Sequence, residues 1–275
     1  MQRSCGRSAG WTYRSIKSDH AACETEMDMN VAILLSGGTG SRMGEKIPKQ
    51  YIRVGNRMII TYACEPLIRS AGIDTLVIVA DGKWREAIAS EIERSVKTSA
   101  DIMFADPGEN RQLSILHGLE KTKELIKERR DCTDKDVTVL IHDAARPLLT
   151  KQQIDSCYEA LGGHEGVMPV LPMKDTVYLG GESACVQQLL PRDRLFAGQA
   201  PELFLFEPYY DAVRALLPDR IRDIRGSAEP AVIAGMDIVM IPGDEGNFKI
   251  TTGPDLQRFR MKVQQQEGGC VKGRI

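Results

Sequence analysis

The residue types and spacings able to do chemistry fall in four short stretches. The first is Ser36-Gly37-Gly38-Thr39-Gly40-Ser41-Arg42-Met43-Gly44 with Pro48-Lys49-Gln50 close behind, and it follows directly on the apolar run VAILL at 31–35. Glycines have no Cβ, so their backbone N–H groups can close round an anion, which suits a phosphate chain. Arg42 and Lys49 add two cations that would neutralise a triphosphate and the charge that gathers between phosphates as one is transferred. Taken alone, the glycines fit tight packing equally well. The loop lacks GxxxxGK[ST], which disfavours a P-loop kinase, and the dinucleotide pattern GxGxxG would need glycine where Met43 stands.

The second stretch, Ile141-His142-Asp143-Ala144-Ala145-Arg146-Pro147, closes another apolar run. At the carboxyl end of a parallel strand it would face the ligand crevice of an open sheet. Asp143 offers hard oxygens for Mg²⁺ and Arg146 a fork for a phosphate, the alternative being a structural ion pair. The third stretch, Pro107-Gly108-Glu109-Asn110-Arg111-Gln112-Leu113-Ser114, again follows an apolar run. There Gly108, Glu109 and Ser114 can read a base and a ribose by hydrogen bonds, or simply cap a helix N-terminus. The fourth runs from Asn247 to Thr252, and its Lys249 is either a site cation or an ordinary solvated side chain.

The pattern around these stretches predicts the elements that hold them. VAILL, TLVIVA (75–80), DIMFA (101–105) and VTVLIH (137–142) read as buried strands, and helical patterns lie between them at about 58–70, 83–97 and 112–130. Alternation of this kind predicts a parallel α/β sheet with right-handed crossovers. Thr150 caps a helix to about Leu161, and GVMPVLP (166–172) reads as another strand. Lys174 to Arg192 breaks the rhythm with two strand-like pieces about Gly180-Gly181, which predicts a projecting hairpin: a dimer arm, or a ribbon packed on its own chain. Helices near 206–217 and 228–235, strands at DIVMI (237–241) and FKITT (248–252), and a last helix from Pro254 complete the reading.

Composition narrows the classes. The chain has 275 residues, with 36 Lys+Arg against 38 Asp+Glu for a formal charge of −2, and 42% apolar side chains. This is an ordinary globular balance, without the basic face of a general nucleic-acid or membrane-surface protein. No run of apolar residues is long enough for a transmembrane helix. Seven scattered cysteines without a CxxC pair read as reduced thiols of a cytoplasmic protein, not as a zinc site or disulfide framework. Residues 1–18 carry Arg3, Arg7, Arg14 and Lys17 and no acid, so residues 1–28 read as a disordered or non-native extension, with an organelle-targeting peptide as the alternative. One catalytic domain over 29–262, with an arm at about 174–192 and a tail at 263–275, accounts for the rest.

The motifs also carry a resemblance. GGTGSRMG with PKQ, the strand ending HDAARP, then KDT, PRDRLFAGQAPELF and NFKITTGPDL occur in the order found in the cytidylyltransferases that include methylerythritol-phosphate and ribitol-phosphate cytidylyltransferases. The chain resembles this family over roughly residues 29–262. The resemblance implies a Rossmann-like, mostly parallel sheet with helices on both faces, and a projecting β-arm that makes a homodimer. It also implies Mg²⁺-dependent transfer of CMP from CTP to a polyol phosphate, with release of pyrophosphate. By position it makes Ser36, Gly37, Gly38, Thr39, Gly40 and Gly44 the triphosphate cradle and Arg42, Lys49 and Lys249 the catalytic cations. Gly108, Glu109, Arg111 and Ser114 would read cytosine and ribose. Asp143 would serve acceptor and metal, with Arg146 beside it, and Thr176 and Arg192 would reach the polyol phosphate of the other subunit.

Two departures touch the acceptor side: Gln199-Ala200-Pro201 stands where many members have a Thr in TPQ, and Arg225-Gly226-Ser227-Ala228-Glu229-Pro230 where many have TD-[DE]-A. The GGTG loop and Gly198-Gln199 look more like the ribitol-phosphate enzymes. Two rivals remain open at this stage. One is a nucleotidyltransferase using another triphosphate. The other is a silent, scaffold-like relative, against which Arg42, Lys49, Asp143 and Lys249 all speak.

Overall fold

The computed structural model describes residues 29–38, 47–96, 100–129, 132–181 and 184–271. The expectations for residues 1–28 and for Thr39, Gly40, Arg42 and Gly44 lie outside the described residues. In chain order the elements are β1 (Met29–Leu35), β2 (Arg53–Val54), β3 (Arg57–Met58), α1 (Ile59–Arg69), β4 (Thr75–Val79), α2 (Gly82–Ser95), β5 (Asp101–Ala105), α3 (Arg111–Glu128), β6 (Val137–Asp143) and α4 (Lys151–Leu161). There follow β7 (Gly166–Pro172), β8 (Val177–Gly180), β9 (Val186–Leu190), β10 (Phe196–Gly198), β11 (Glu202–Leu205), α5 (Phe206–Arg214), α6 (Glu229–Ala234), β12 (Ile238–Pro242) and α7 (Gly253–Val271).

Strand β1 pairs in parallel with β4 on one side and β6 on the other, and β4 carries β5 at the edge. These strands read as continuous apolar runs because helices cover both faces. Ala32, Leu34, Leu76 and Ile78 pack with α1, α2 and α4, while Val31, Ile33, Val77 and Val79 pack with α3, α5 and α6. The period-2 alternation of side chains thus divides each strand between two cores. The sequence expectation of a mostly parallel sheet between helices holds for this half, and none of the helices among the described residues is long and apolar enough to cross a membrane.

Beyond β6 the sheet turns mixed. Residues 196–198 and 202–205, for which no strand was expected, form β10 and β11, and β11 inserts antiparallel between β6 and β7. The expected strand FKITT does not form: residues 247–252 run as an irregular segment. Its backbone is taken up elsewhere, with Ile250 N–H donating to Ala145 O at 2.8 Å and Thr251 N–H and Thr252 N–H donating to the Asp255 carboxylate at 2.9 and 2.8 Å. The expected hairpin is present as β8 and β9, a two-stranded ribbon apart from the main sheet, with Tyr178, Leu179, Val186 and Leu189 exposed. Helix α7 continues past residue 262 to Val271, and Val263 on it is buried with Ile59, Leu256 and Phe259.

Helix α3, which begins beside the crevice, lies unusually close to the sheet. A Cβ at Gly118 would sit 2.7 Å from Ile33 Cγ2 and 3.4 Å from Val79 Cγ2. Overpacking of this kind costs about 1–3 kcal/mol. Gly118→Val should therefore lower the urea-unfolding free energy by about 2 kcal/mol or more, whereas Gly162→Ala, where a Cβ meets open space, should stay near wild type in the same assay.

Candidate active site

Three turns meet at the carboxyl edge of the sheet: Ser36 to Gly38 after β1, Asp106 to Asn110 after β5, and Asp143 with the turn after β6. The first is held from below by the Pro48-Lys49-Gln50 segment. Gln50 Nε2 donates to Ser36 O at 2.6 Å and Gly38 O at 2.7 Å. Ser36 Oγ donates to Tyr51 Oη at 2.9 Å, and Tyr51 donates to Ser36 O at 3.0 Å. Ser36 is thus a buried brace of the turn, and Gln50, to which the sequence reading gave no role, is its second brace. Lys49 is half-buried at the start of the short 3₁₀ turn that carries Gln50. A Cβ at Gly37 would collide with Pro107, so this glycine allows the first and second turns to touch.

The second turn is fixed by α3. Asn110 caps the helix by accepting from Leu113 N–H at 2.8 Å. Ser114 Oγ donates to Asn110 O at 2.9 Å and accepts from Gly108 N–H at 3.0 Å. A Cβ at Gly108 would strike Leu113 and the Ser114 backbone, which makes glycine necessary for this fold-back. Ser114 is buried and engaged with its own loop, Gly108 is half-buried and Glu109 is exposed. The capping reading of the segment is present in the structure, and Arg111, in the first turn of α3, reaches across to Asp143.

That side chain reaches the centre of the site. Asp143, 7% exposed, receives Arg111 Nη2 on Oδ1 at 3.0 Å, Lys249 Nζ on Oδ2 at 2.9 Å and Arg146 Nε at 3.7 Å. Burial alone would raise the carboxyl's pKa, but Arg111, Lys249 and Arg146 outweigh burial and hold it well below the usual carboxylate range. His142 is fully buried, and burial pushes its pKa down to about 4, so it is neutral near pH 7; its Nε2 lies 3.0 Å from Arg146 O and fixes the turn. Lys249 arrives because the segment around it is laced to the sheet. Arg146 Nη1 donates to Asn247 O at 2.8 Å, Asn247 Nδ2 to Ala200 O at 2.9 Å and Gln199 Nε2 to Asp244 O at 2.8 Å. Gln199 and Asn247 carry this web and were not assigned it from the sequence; their only cue was polar residues flanked by apolar ones.

The structure brings Arg111, Asp143, Arg146 and Lys249 together; the sequence reading had set Arg111 apart, with the residues that would read cytosine and ribose. Thr176 and Arg192 are not part of this cluster. Both are exposed at the base of the arm, where Arg192 Nη1 donates to Lys174 O at 2.7 Å. The acceptor-side departure at 225–230 folds over α3: Gln112 Nε2 donates to Gly226 O, and Glu229 accepts from Arg225 N–H at 2.8 Å and Gly226 N–H at 3.2 Å.

Sequence reasoning also missed Glu202. It is 7% exposed, and burial pushes its carboxyl up to about 7, Arg111 opposing and Asp143 adding to the rise. Asp143, expected as a metal ligand, receives a cation on each carboxylate oxygen, and among the described residues no cluster of three His, Cys, Asp or Glu surrounds a metal position. A Mg²⁺ bound here would take Asp143 as its ligand from the chain and phosphate oxygens of a substrate for the rest of its shell.

A folded-state pKa of about 7 against the ordinary glutamate value of 4.5 means that the folded chain binds more protons through that window. Stability therefore falls as pH rises from about 4.5 to about 7 and stays lowered above it, by about 3 kcal/mol for such a shift. Glu202→Gln removes this dependence. Urea unfolding should show the variant gaining about 2 kcal/mol more over wild type at pH 8 than at pH 5; an equal difference at both pH values would contradict the raised pKa.

Comparison with known proteins agrees with this geometry. Residues 30–265 match the family model "IspD: 2-C-methyl-D-erythritol 4-phosphate cytidylyltransferase". The bifunctional enzyme IspD/IspF of Maricaulis maris is 31% identical over 242 residues, covering 86% of this chain; the chain spans 57% of that relative's length. The ribitol-5-phosphate cytidylyltransferase of Streptococcus agalactiae serotype V is 28% identical over 246 residues, 89% of this chain and 99% of that one. The crystal structure of the 4-diphosphocytidyl-2C-methyl-D-erythritol synthase of Anaerococcus prevotii has the same fold at TM-score 0.70 and 22% identity, covering 86% of this chain and 96% of that one. With the family model matched across nearly the whole described chain, the protein belongs to the IspD family of cytidylyltransferases and is a nucleotidyltransferase.

Proposed function

We propose that the chain transfers CMP from CTP to a polyol phosphate and releases pyrophosphate. The observation that carries this reading is the convergence of Arg111, Arg146 and Lys249 on Asp143 beside the glycine turn, at the sheet edge where ligands bind. Such a cluster suits two phosphate groups brought together. An oxygen of the acceptor phosphate attacks the α-phosphorus of CTP, a new P–O–P linkage forms, and the α–β bridge breaks with its electron pair leaving on pyrophosphate. No general base is required, because a phosphate monoester is already largely a dianion near pH 7. Lys249 and Arg146 align the incoming phosphate, and Lys49 and Arg42 stand by position for the charge on the α- and β-phosphates. Mg²⁺, entering on the triphosphate, would screen charge there.

Two acceptors fit the relatives' names. The GGTG loop and the Gly198-Gln199 pair favour ribitol 5-phosphate, as in the cell-wall polysaccharide context of such acceptors, over 2-C-methyl-D-erythritol 4-phosphate of isoprenoid precursor synthesis. We further propose that the arm forms a homodimer. Tyr178 and Leu189 face each other across the ribbon, and they are 57% and 60% exposed with Val186 at 67%, a set of apolar side chains that a second copy would cover.

Pyrophosphate release with CTP, Mg²⁺ and a panel of ribitol 5-phosphate, 2-C-methyl-D-erythritol 4-phosphate and glycerol 3-phosphate tests the reading. Turnover is expected with one of the first two, and a clear preference for UTP over CTP would sink it. In the same assay Lys249→Ala and Lys49→Ala should each lose on the order of 10²-fold in turnover with the melting temperature retained. For the arm, Val186→Glu combined with Leu189→Glu should shift the sedimentation coefficient from dimer to monomer; unchanged sedimentation would remove the arm from the interface.

A further inference from the structure

Glu202 is a charged group on the floor of the crevice that the proposed reaction leaves without a role. It opens β11 opposite Ile141 of β6. Asp143 stands two residues further along β6, so the two carboxylates are diagonal neighbours on one face of the sheet. The charged and titratable groups within electrostatic reach of Glu202 are Arg111 from α3, Asp143 at the end of β6, Arg146 in the turn after it, Tyr209 of α5 and Cys157 of α4. Ala228 N–H donates to the carboxylate, but Oε2 has no hydrogen-bond partner. Arg111 and Arg146 both feel its charge, yet among the described residues neither closes an ion pair with it. The buried Arg111 Nη1 has no hydrogen-bond partner, and Arg146 Nε has only the long 3.7 Å ion pair with Asp143.

A carboxylate in this position weakens the fold at neutral pH, and a glutamine would accept from Ala228 equally well. Its distinctive effect falls on the arginines. Above it, three cations are balanced by Asp143 alone; Glu202 supplies a second buried counter-charge. Binding substrate and transition state equally tightly lowers KM without raising kcat, so a site that meets two polyanions gains from restraint in the ground state.

We propose that Glu202 is a positioning residue that sets the charge of the phosphate-binding arginines: from beneath Arg111 and Arg146 it draws part of their field away from the crevice and so weakens their hold on a bound phosphate monoester. The inference rests on the reading that this cluster receives phosphate, and its primary test does not require nucleotidyl transfer. Inorganic phosphate is titrated calorimetrically onto the full chain at pH 8. Glu202→Gln, which loses the charge and keeps the shape, should bind phosphate about tenfold tighter than wild type. Glu202→Asp, which keeps the charge, should remain within about threefold of wild type.

Equal affinities for wild type and Glu202→Gln would overturn the proposal, as would equal tightening in Glu202→Asp or no measurable phosphate binding to any of them. Should Glu202→Gln not fold, Glu202→Met carries the same expectation, and failure of both to fold also overturns it, since the carboxylate would then belong to the fold. With a productive acceptor, Glu202→Gln should lower the acceptor KM without raising kcat, a split that a merely structural role does not produce. Absence of turnover with every acceptor would sink the proposed function while leaving the phosphate result to stand by itself.

Discussion

Everything at the crevice depends on one buried carboxylate. Asp143 lies at the last position of a central strand, and three cations from separated parts of the chain converge on it: Arg111 from the first turn of α3, Arg146 from the turn after β6, and Lys249 from a segment more than a hundred residues further on. Without that anion the three positive groups would repel each other at short range in a partly dehydrated edge, where charge interactions are stronger than in water. With it, they are held in place before any phosphate arrives. Such preorganisation is what makes fixed charge effective in phosphoryl transfer, because no reorientation is left for the moment of reaction.

The unusual half of the sheet follows from the same requirement. A purely parallel sheet would bring turns after β1, β5 and β6 to one edge, but not a lysine from near residue 249. Inserting β11 antiparallel between β6 and β7 places Gln199 and Ala200 directly beneath the segment from Asp244 to Asn247. Gln199 both donates to Asp244 O and accepts from Asp244 N–H, which fastens the segment as a strand pairing would. The same insertion brings Glu202 under the arginines. Its position is a consequence of the strand that positions Lys249, so a residue there acts on the cluster whatever its type.

The parallel half of the fold was legible from the sequence because its evidence is local. Continuous apolar runs of five to seven residues separated by amphipathic stretches admit few other arrangements, and the strand β1 and helix α3 lie where the runs put them. The glycine-rich turn, Asp143 and Arg146 were legible for a similar reason, since each follows directly on such a run. What the sequence concealed is long-range. PRDRLFAGQAPELF looks like a loop because β10 and β11 are only three and four residues long, and FKITT looks like a strand although its backbone groups are satisfied by Ala145 and Asp255. Glu202 gains its meaning from Arg111, Asp143 and Arg146, and Asn247 from Ala200 and Arg146, all of them remote in sequence.

This division has a consequence for specificity. One side of the crevice is built from turns packed tightly at glycines: Gly37 against Pro107 and Gly108 against Leu113 leave no room for a side chain, so substitution there would move backbone. The segment 225–230 is instead tethered by Gln112 at Gly226 O and by Tyr209 at Ser227 O. Both tethers take hold of backbone carbonyls, which every residue type possesses. The exposed side chain at Arg225 can therefore change without loosening the segment, whereas Ser227 is buried and its size is fixed by packing. A scaffold arranged in this way holds its glycine turns fixed, while the segment 225–230, where the sequence departs from the family pattern, is held through its backbone and tolerates a change at the exposed Arg225.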